Sequence, residues 1–309
     1  MNDVDEIHEG EPIGRSVSAA VSSKSGRIAV LAVVLLWTVP TFGLLVSSFR
    51  PEKDVKTTGW WTVFIHPHFT LNNYSKVMSS AAGSGQGLGH YFLNSFRITI
   101  PSTIIPIFIA ALAAYAFSWM KFKGRDWLFV GVVSLLVVPL QMALIPVLRL
   151  NTSCVHIGHI TLFPALQLQN SVVIIWIAHT FFGMPFAIFI LKNFISSLPS
   201  ELIEAARVDG AGHLTVFRKL VLPLSIPAIA SLAIFQFMWV WNDLLIGRIF
   251  GGQKNLPIIG KLVELAGTRG QDWHLLTAGA FVSMIVPLIV FFSLQRFFVR
   301  GLLAGAVKG

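Results

Sequence analysis

The sequence predicts an all-α membrane protein with six transmembrane helices. Hydrophobic residues make up 54% of its 309 residues and charged residues 12%, with a mean hydropathy of +0.73. Soluble domains carry about 25% charged residues, so a soluble fold of this size could not cover its surface with so few. The composition also excludes a disordered chain and, with a single cysteine, a disulfide-stapled module.

The net charge of +9 raises the question of a nucleic-acid partner. We find no basic run with interleaved aromatic residues, and Lys and Arg also collect at the ends of membrane spans and on anionic lipid surfaces. We therefore expect contact with membrane lipid and no nucleic acid. The single cysteine, Cys154, cannot form an internal disulfide and is interpreted as a small packing residue.

The predicted elements follow in chain order. Residues 1–27 are polar, with five acids before the first base, and are interpreted as a disordered cytoplasmic tail. Residues 28–299 contain six apolar windows, each about 20 residues long, which suffices to cross a bilayer. Residues 300–309 form a short C-terminal tail. The six windows are Ile28–Phe49, Ile98–Met120, Trp127–Leu148, Ser171–Leu191, Pro223–Trp241 and Leu275–Gln295.

Orientation follows from the basic residues in the loops between the windows. The shortest loop, Lys121–Arg125, carries three bases in five residues and is therefore placed in the cytoplasm. An even number of spans puts both termini on that same side. The long segment Arg50–Tyr91, with its paired tryptophans, then lies outside at the membrane interface. Prolines in or beside the windows predict kinked helices, which membrane packing tolerates.

Histidines are the candidate ligands or catalytic groups, and none forms a convincing metal or catalytic site. His66 and His68 flank a proline, and His156 and His159 lie at an outer boundary without a companion acid. His179 is the one ionisable group well inside a span, where a neutral packing histidine and a substrate or gating contact are both open. A membrane-embedded enzyme is therefore disfavoured. A secondary carrier is also disfavoured, because no acid lies deep in a span and no inverted repeat is evident.

The most informative segment is the inner loop 199–223, between the fourth and fifth windows. It predicts a short helix, a glycine turn at Gly210 and a second short helix. Pro199 suits the first helical position, and Leu202, Ala205 and Ala206 are expected to share one face. An ordinary amphipathic surface helix is the alternative.

This loop resembles the EAA loop of bacterial ABC-importer permeases, with Leu220 where isoleucine is common. Supporting stretches are Ala113–Phe117, Trp241–Asp243 and the C-terminal Arg300–Gly309, all similar to the sugar-importing, maltose-type second subunit. The acidic tail and the lengthened outer segment Arg149–Asn170 depart from the family pattern. The resemblance assigns coupling to an ATPase to Glu204, Ala205, Ala206, Asp209, Gly210, Leu220, Leu222 and Pro223.

The resemblance implies a type I ABC-importer permease fold in the bacterial inner membrane and an ATP-driven importer of sugars. The implied partners are a second permease, an ATPase dimer and an extracytoplasmic sugar-binding protein. The chain has no phosphate-binding Gly-x4-Gly-Lys-Ser/Thr loop, so it is expected to be no enzyme and to hold no cofactor. ATP and Mg²⁺ would bind the partner ATPase. The alternatives are import of another small polar solute and an ion-coupled sugar carrier.

Two further sets of candidate residues follow. Aromatic rings can stack on sugars, although packing against helices or lipid is the alternative for each ring. The candidate pathway residues are His179, Phe235, Phe237, Trp239, Trp241, Asn242 and Asp243. By resemblance, the candidate C-terminal contacts with the ATPase are Gly305, Ala306, Val307 and Lys308.

Overall fold

The computed structural model describes residues 23–79, 87–157, 159–266 and 272–306. Most of the predicted N-terminal tail and the candidate contacts Val307 and Lys308 lie outside the described residues. The helices in chain order are α1 Lys24–Ser48, α2 Glu52–Thr57, α3 Asn72–Met78, α4 Leu88–Trp119, α5 Arg125–Ser134, α6 Leu140–Thr152, α7 Val172–Ser196, α8 Ser200–Val208, α9 His213–Val216, α10 Leu222–Leu224, α11 Ile226–Trp241, α12 Leu245–Gly251, α13 Ile258–Ala266 and α14 Trp273–Ala306.

Two 3-10 segments, Trp60–Phe64 and Leu135–Val137, and a π-helical segment, Phe217–Val221, join some of these helices. The strands β1 Val155–Ile157 and β2 Ile160–Phe163 form an antiparallel hairpin with a bulge between Val155 and His156. The fold is thus almost entirely helical, as predicted. The hairpin lies in the outer segment that departs from the family pattern.

Within the described residues, four helices are long and apolar enough to cross a membrane: α1, α4, α7 and the Trp273–Gln295 part of α14. Two bent helix pairs bring the number to six if each pair counts as one span. The six predicted windows therefore correspond to four continuous helices and two broken ones.

The third window, Trp127–Leu148, was expected to be a span kinked by proline, and the structure divides it into two helical segments. The helical segment Arg125–Val137 and α6 meet at 109°. Pro139 lies at the break, and proline disfavours a helical conformation in the residue before it. Val138 is accordingly extended, with φ −73° and ψ 118°.

The fifth and sixth windows also differ from the prediction at their inner ends. The segment His213–Leu224 meets α11 at 71°, so Pro223 belongs to the loop side of a bend and the straight helix begins at Ile226. At the C-terminus, α14 continues to Ala306. The predicted tail 300–309 is therefore, up to Ala306, a continuation of the last helix.

The core divides into two halves along the same helices, which we label inner and outer after the orientation that the sequence predicts. The most extensive packing is between α4 and α7, and α11 lies against α4, α7 and α14. An inner cluster joins Ala114 of α4 and Leu191 of α7 to Ile203, Val216 and Val221 of the loop that follows α7. Two outer clusters join the other ends of these helices to α6, α12 and α13. The loop after α7 is thus part of the protein's own core on one side.

Helix α1 contrasts with this packed unit. Only 6% of its apolar window is buried, and Trp37 at its centre is 77% exposed. A helix that is hydrophobic all round and exposed in water is unstable, so its environment is lipid or another membrane chain.

Candidate functional site

The inner loop begins with the short helix α8, Ser200–Val208. Pro199 was predicted to be the first helical residue. It lies instead at the N-cap position, just before the helix, with an extended backbone and ψ 128°. Glu201 in the first turn favours the positive end of the helix. Ile203 is 1% exposed and packs on the inner core, and it fixes which face of α8 turns toward the protein.

Gly210 ends this helix as the sequence predicts, with φ +80°. The Ala211 N–H donates to the Ala206 carbonyl at 2.9 Å, and the Gly210 N–H donates to the Arg207 carbonyl at 3.0 Å. This pair of bonds is the Schellman arrangement, which requires a left-handed residue that glycine adopts without steric cost. Asp209 occupies the C-cap position and is exposed.

Two side-chain hydrogen bonds fix the loop to the inner end of α4, and a third joins α4 to α7. Arg207 donates from Nη2 to the Trp119 carbonyl at 2.9 Å, where α4 ends and its carbonyl groups lack helical partners. Trp119 donates from Nε1 to the Ile195 carbonyl of α7 at 3.3 Å. The Tyr115 hydroxyl lies 3.0 Å from His213 Nδ1. The loop is therefore held rigidly against α4, which is itself joined to α7.

The opposite face of the loop is exposed and partly apolar. Leu202 is 45% exposed, Val208 is 88% exposed and Leu214 is 67% exposed. Glu204 and Ala205 lie among them and are also exposed. Exposed apolar side chains grouped with few polar ones indicate an interaction surface. We call these five residues the coupling face, after the role that the sequence resemblance predicts for this loop.

Leu202, Ala205 and Ala206 were expected to share one face of α8, and this is wrong for Ala206. Ala206 turns inward and packs on the inner core, whereas Leu202 and Ala205 are exposed. Position 203 carries the isoleucine that anchors the helix, and Ala206 is one turn beyond it on the same side. The two alanines of the motif therefore contribute to different faces.

The loop returns to the membrane through the remaining motif residues. Leu220 is partly buried against the inner core, within the π-helical segment Phe217–Val221. Leu222 and Pro223 are exposed and lie just before the 71° bend. A π-helical turn next to a bend is typical of functional segments. The motif thus covers the whole path from the coupling face to the start of α11.

At the outer end of the same two helices, the structure brings together His179 and Asp243. The His179 side chain is 1% exposed and that of Asp243 is 10% exposed, and His179 Nε2 lies 3.6 Å from Asp243 Oδ2. His179 Nδ1 donates to the Ile175 carbonyl at 2.9 Å, so Nε2 is the atom that faces the carboxylate. The 3.6 Å separation is too long for a hydrogen bond, and within the described residues Nε2 has no hydrogen-bond partner. The sequence identified both residues but not their contact.

Asp243 also fixes the turn after α11. Its Oδ2 accepts from the Ile246 N–H at 2.8 Å and the Gly247 N–H at 3.4 Å. The Trp239 ring is 5.5 Å from the His179 ring in an edge-on arrangement. Helix α7 and the end of α11 are therefore joined by one polar contact and one ring contact.

The other candidate pathway residues divide between packing and exposure. Trp241 is 1% exposed, stacks on Phe237 at 5.7 Å and donates from Nε1 to the Ser283 carbonyl at 3.2 Å. These two rings therefore belong to the packed outer core in this conformation. Phe235 is 54% exposed, and exposed Asn242 donates to the Met238 carbonyl at 2.8 Å.

One buried polar contact in the spans was missed by the sequence analysis. Gln236 in α11 is 5% exposed and donates to the Ser102 carbonyl of α4 at 3.1 Å. Its amide lies 2.7 Å from where a Cβ at Gly183 of α7 would be, so a larger residue at position 183 would displace this amide. A glutamine inside an apolar window was the available signal. Three helices meet around this side chain.

The predicted C-terminal contacts are only partly within the described chain. Gly305 and Ala306 are the last two residues of α14. They follow continuously from the membrane helix rather than from a separate tail.

Comparison with known proteins places this architecture in a family. Residues 98–304 match the family described as "Binding-protein-dependent transport system inner membrane component". The osmoprotective compounds uptake permease protein GgtD of Synechocystis sp. is 54% identical over 91% of this chain and 91% of its own length. The alpha-glucoside transport system permease protein AglG of Rhizobium meliloti is 39% identical over 92% of this chain and 96% of its own length.

A solved structure has the same fold at much lower identity. The crystal structure of a bacterial ABC transporter involved in the import of the acidic polysaccharide alginate aligns with a TM-score of 0.67 and 18% identity. The alignment covers 89% of this chain and 98% of that one. Together with the matched family, it confirms the predicted importer-permease fold. The chain therefore belongs to the binding-protein-dependent transport family, as an inner-membrane permease component.

Proposed function

We propose that the chain is one of two permease subunits of an ATP-driven sugar importer and couples transport to a cytoplasmic ATPase through α8. The coupling face is the observation that carries this proposal. Its apolar residues are exposed on a loop whose other side is anchored in the core. Such a rigid, exposed face can transmit a push from a partner directly to α7 and α11.

The orientation follows from the same assignment. If the coupling face meets a cytoplasmic ATPase, then the basic loop Lys121–Arg125 and both termini lie in the cytoplasm. The His179–Asp243 contact then lies toward the outside, where a solute-binding protein delivers its cargo. This arrangement agrees with the placement of basic residues inside.

The energy source in this proposal is a partner subunit. ATP and Mg²⁺ bind the ATPase dimer, and this chain supplies the surface that moves with it. Glu204 has no ion-pair partner within the described part of the chain and is available to a basic residue of the ATPase. Exposed Ala205 leaves room for close approach of the partner.

The C-terminal residues form a second proposed contact with the ATPase. Gly305 and Ala306 end α14, and Val307 and Lys308 follow them in the sequence. Deleting residues 304–309 should leave membrane insertion intact and reduce the ATP hydrolysis that sugar stimulates. Wild-type coupling in the truncated protein would contradict this contact.

Sugars are the proposed substrate class. The relative named for alpha-glucosides supports this, as do the aromatic rings and the carboxylate at the outer end of α11, since such groups can bind sugar rings and hydroxyls. In this conformation only Trp239, Phe235, Asn242 and Asp243 retain exposed surface among the candidates. The 54% identity to a permease named for osmoprotective compounds favours a second candidate, a small polar osmolyte.

Reconstitution tests the function and separates these candidates. The two permeases, the ATPase and the binding protein are placed in liposomes, and uptake of labelled glucosides, longer oligosaccharides and small osmolytes is measured. We expect uptake of a glucoside or oligosaccharide that requires ATP and persists when ion gradients are collapsed. Uptake that an ion gradient drives without ATP would contradict the proposal.

The role of the coupling face is tested by adding bulk to it. Ala205→Trp changes an exposed position, so the fold should tolerate it, but the larger side chain would hold the ATPase away. We expect loss of ATPase capture during purification. Lys123→Trp, at an exposed position in the neighbouring inner loop, is the matched control and should retain capture.

A further inference from the structure

A polar cavity of about 240 Å³ lies where the outer ends of α4 and α7 meet the segment between α12 and α13. It is distinct from the His179–Asp243 contact and from the coupling face. We call it the outer basic pocket. Its lining residues are His90, Asn94, Arg97, Asn170, Ser171, Val172, Lys254 and Asn255.

Buried amides fix the walls of this pocket. Asn94, 4% exposed, donates from Nδ2 to the Lys254 carbonyl at 3.1 Å, which ties α4 to the far segment. Asn255, 8% exposed, donates to the Asn170 carbonyl. The Arg97 carbonyl accepts from Trp176 Nε1 at 2.9 Å. The backbone that carries both basic side chains is therefore held by hydrogen bonds from neighbouring elements.

The charges of the pocket are not balanced. Arg97 and Lys254 line it together with His90, and no acidic side chain does. Across the described ranges of the chain, neither Arg97 nor Lys254 takes part in an ion pair. Both side chains are exposed and line the same cavity, so an anion that enters it would meet two positive charges. A guanidinium also binds a carboxylate in a bidentate fork.

The size of the pocket indicates whether the anion is part of a sugar or a side chain of another protein. Small-molecule pockets usually measure about 300–1,000 Å³, so this one is small for a disaccharide. An aspartate or glutamate side chain from an approaching protein would fit. The pocket faces the side on which a binding protein would dock, under the orientation proposed above.

We propose that the outer basic pocket receives a carboxylate side chain of the solute-binding protein and sets the register of its docking. This inference rests on the proposed function, since it needs an external binding protein. The Arg97 guanidinium and the Lys254 ammonium bind the carboxylate, while Trp176 and Asn94 hold the backbone of these two residues.

Charge reversal in the assembled transporter tests the proposal. Arg97→Glu and Lys254→Glu are compared with Arg149→Glu, an exposed base at the outer end of α6 that does not line the pocket. Affinity for the purified binding protein is measured in nanodiscs. We expect each pocket variant to weaken binding by about 30-fold or more, as for loss of one partner of a close charge pair, with Arg149→Glu near wild type. Arg97→Lys should retain most of the affinity.

A charge swap identifies the partner residue. Each exposed acid of the binding protein is replaced in turn by arginine, and one such variant should restore binding to Arg97→Glu. Basal ATP hydrolysis by the variants checks that the complex is assembled. Wild-type affinity in both pocket variants would overturn the proposal. So would unchanged docking combined with a selective loss of acidic-sugar transport, which would assign the pocket to substrate. If the binding protein fails to stimulate even the wild-type transporter, the proposed function itself fails.

Discussion

The two ends of α7 and α11 differ in whether their charged side chains are exposed or buried. At the inner end, Glu204 and Asp209 are exposed beside the exposed side chains of Val208 and Leu214. At the outer end, His179 and Asp243 are largely buried and face each other at 3.6 Å. The same pair of helices thus connects the exposed coupling face with the buried His179–Asp243 contact.

This difference in exposure indicates which end contacts a partner and which end stabilises the fold. An exposed charge contributes little to a fold by itself, about 0–1 kcal/mol even when paired, which agrees with the proposed role of the inner charges in recognition of another chain. A buried carboxylate that accepts two backbone hydrogen bonds is costly to remove, because the N–H groups lose their acceptor. The outer contact therefore holds the protein's own helices together. Inner substitutions should change coupling, whereas outer ones should change stability or gating.

The largest expected effect concerns which end lies outside. Cys154 is exposed next to the outer hairpin and is the only cysteine of the chain. A membrane-impermeant maleimide should label it fully in sealed spheroplasts. In a Cys154→Ser background, Lys53→Cys in the outer segment should also be labelled, whereas Lys123→Cys should react only after lysis. Labelling of position 123 alone in sealed spheroplasts would reverse the two ends of the comparison.

The next largest effect is expected from breaking the outer contact. Asp243→Ala removes the partner of His179 and the acceptor of two backbone N–H groups. We expect a loss of about 1–3 kcal/mol in the free energy of unfolding, because buried N–H groups lose their acceptor. Chemical unfolding in detergent micelles measures it.

The neighbouring residue provides the control for this substitution. Asn242→Ala changes an exposed side chain and should shift the free energy of unfolding by less than about 0.5 kcal/mol, as surface substitutions do. His179→Gln should cost less than Asp243→Ala, because the carboxylate keeps its two backbone donors. Equal effects of Asp243→Ala and Asn242→Ala would show that the outer contact carries no stability.

The sequence predicts local features of both ends better than contacts between helices. Gly210 and the helix before it follow from neighbours within a few residues, so spacing alone identified them. The His179–Asp243 contact joins residues that are distant in the chain, and only the packing of α7 against α11 reveals it. Ile203 was not predicted as the anchor of α8. Leu202 beside it is equally apolar, and spacing alone does not show which of the two faces the core. The breaks near Pro139 and Pro223 were signalled by proline, but their angles depend on tertiary packing.

A smaller effect is expected at the turn that ends α8. Gly210 and Gly212 both have open space where a Cβ would be, but only Gly210 has a positive φ. Gly210→Val should therefore destabilise the loop by about 1–2 kcal/mol through backbone strain, and Gly212→Val should not. We expect Gly210→Val to reach the membrane yet lose most ATPase capture and sugar-stimulated hydrolysis. If both valine variants behave like wild type, α8 is an ordinary surface helix and the coupling assignment is wrong.

The smallest effect is expected from Glu204→Ala. The side chain is exposed, so its loss should leave the unfolding transition unchanged. If it meets a basic residue of the ATPase at a wet interface, its removal weakens that contact by about 0–1 kcal/mol, which is at most about fivefold in affinity. Glu201→Ala, one turn earlier on α8 and also exposed, is the matched control and should have no effect on capture. Affinity for the purified ATPase at low and high salt distinguishes the two, because the Glu204 contribution should fade as salt screens it. A salt-independent loss would instead indicate that Glu204 acts through packing. The inner end would then resemble the outer end, where the side chains are buried.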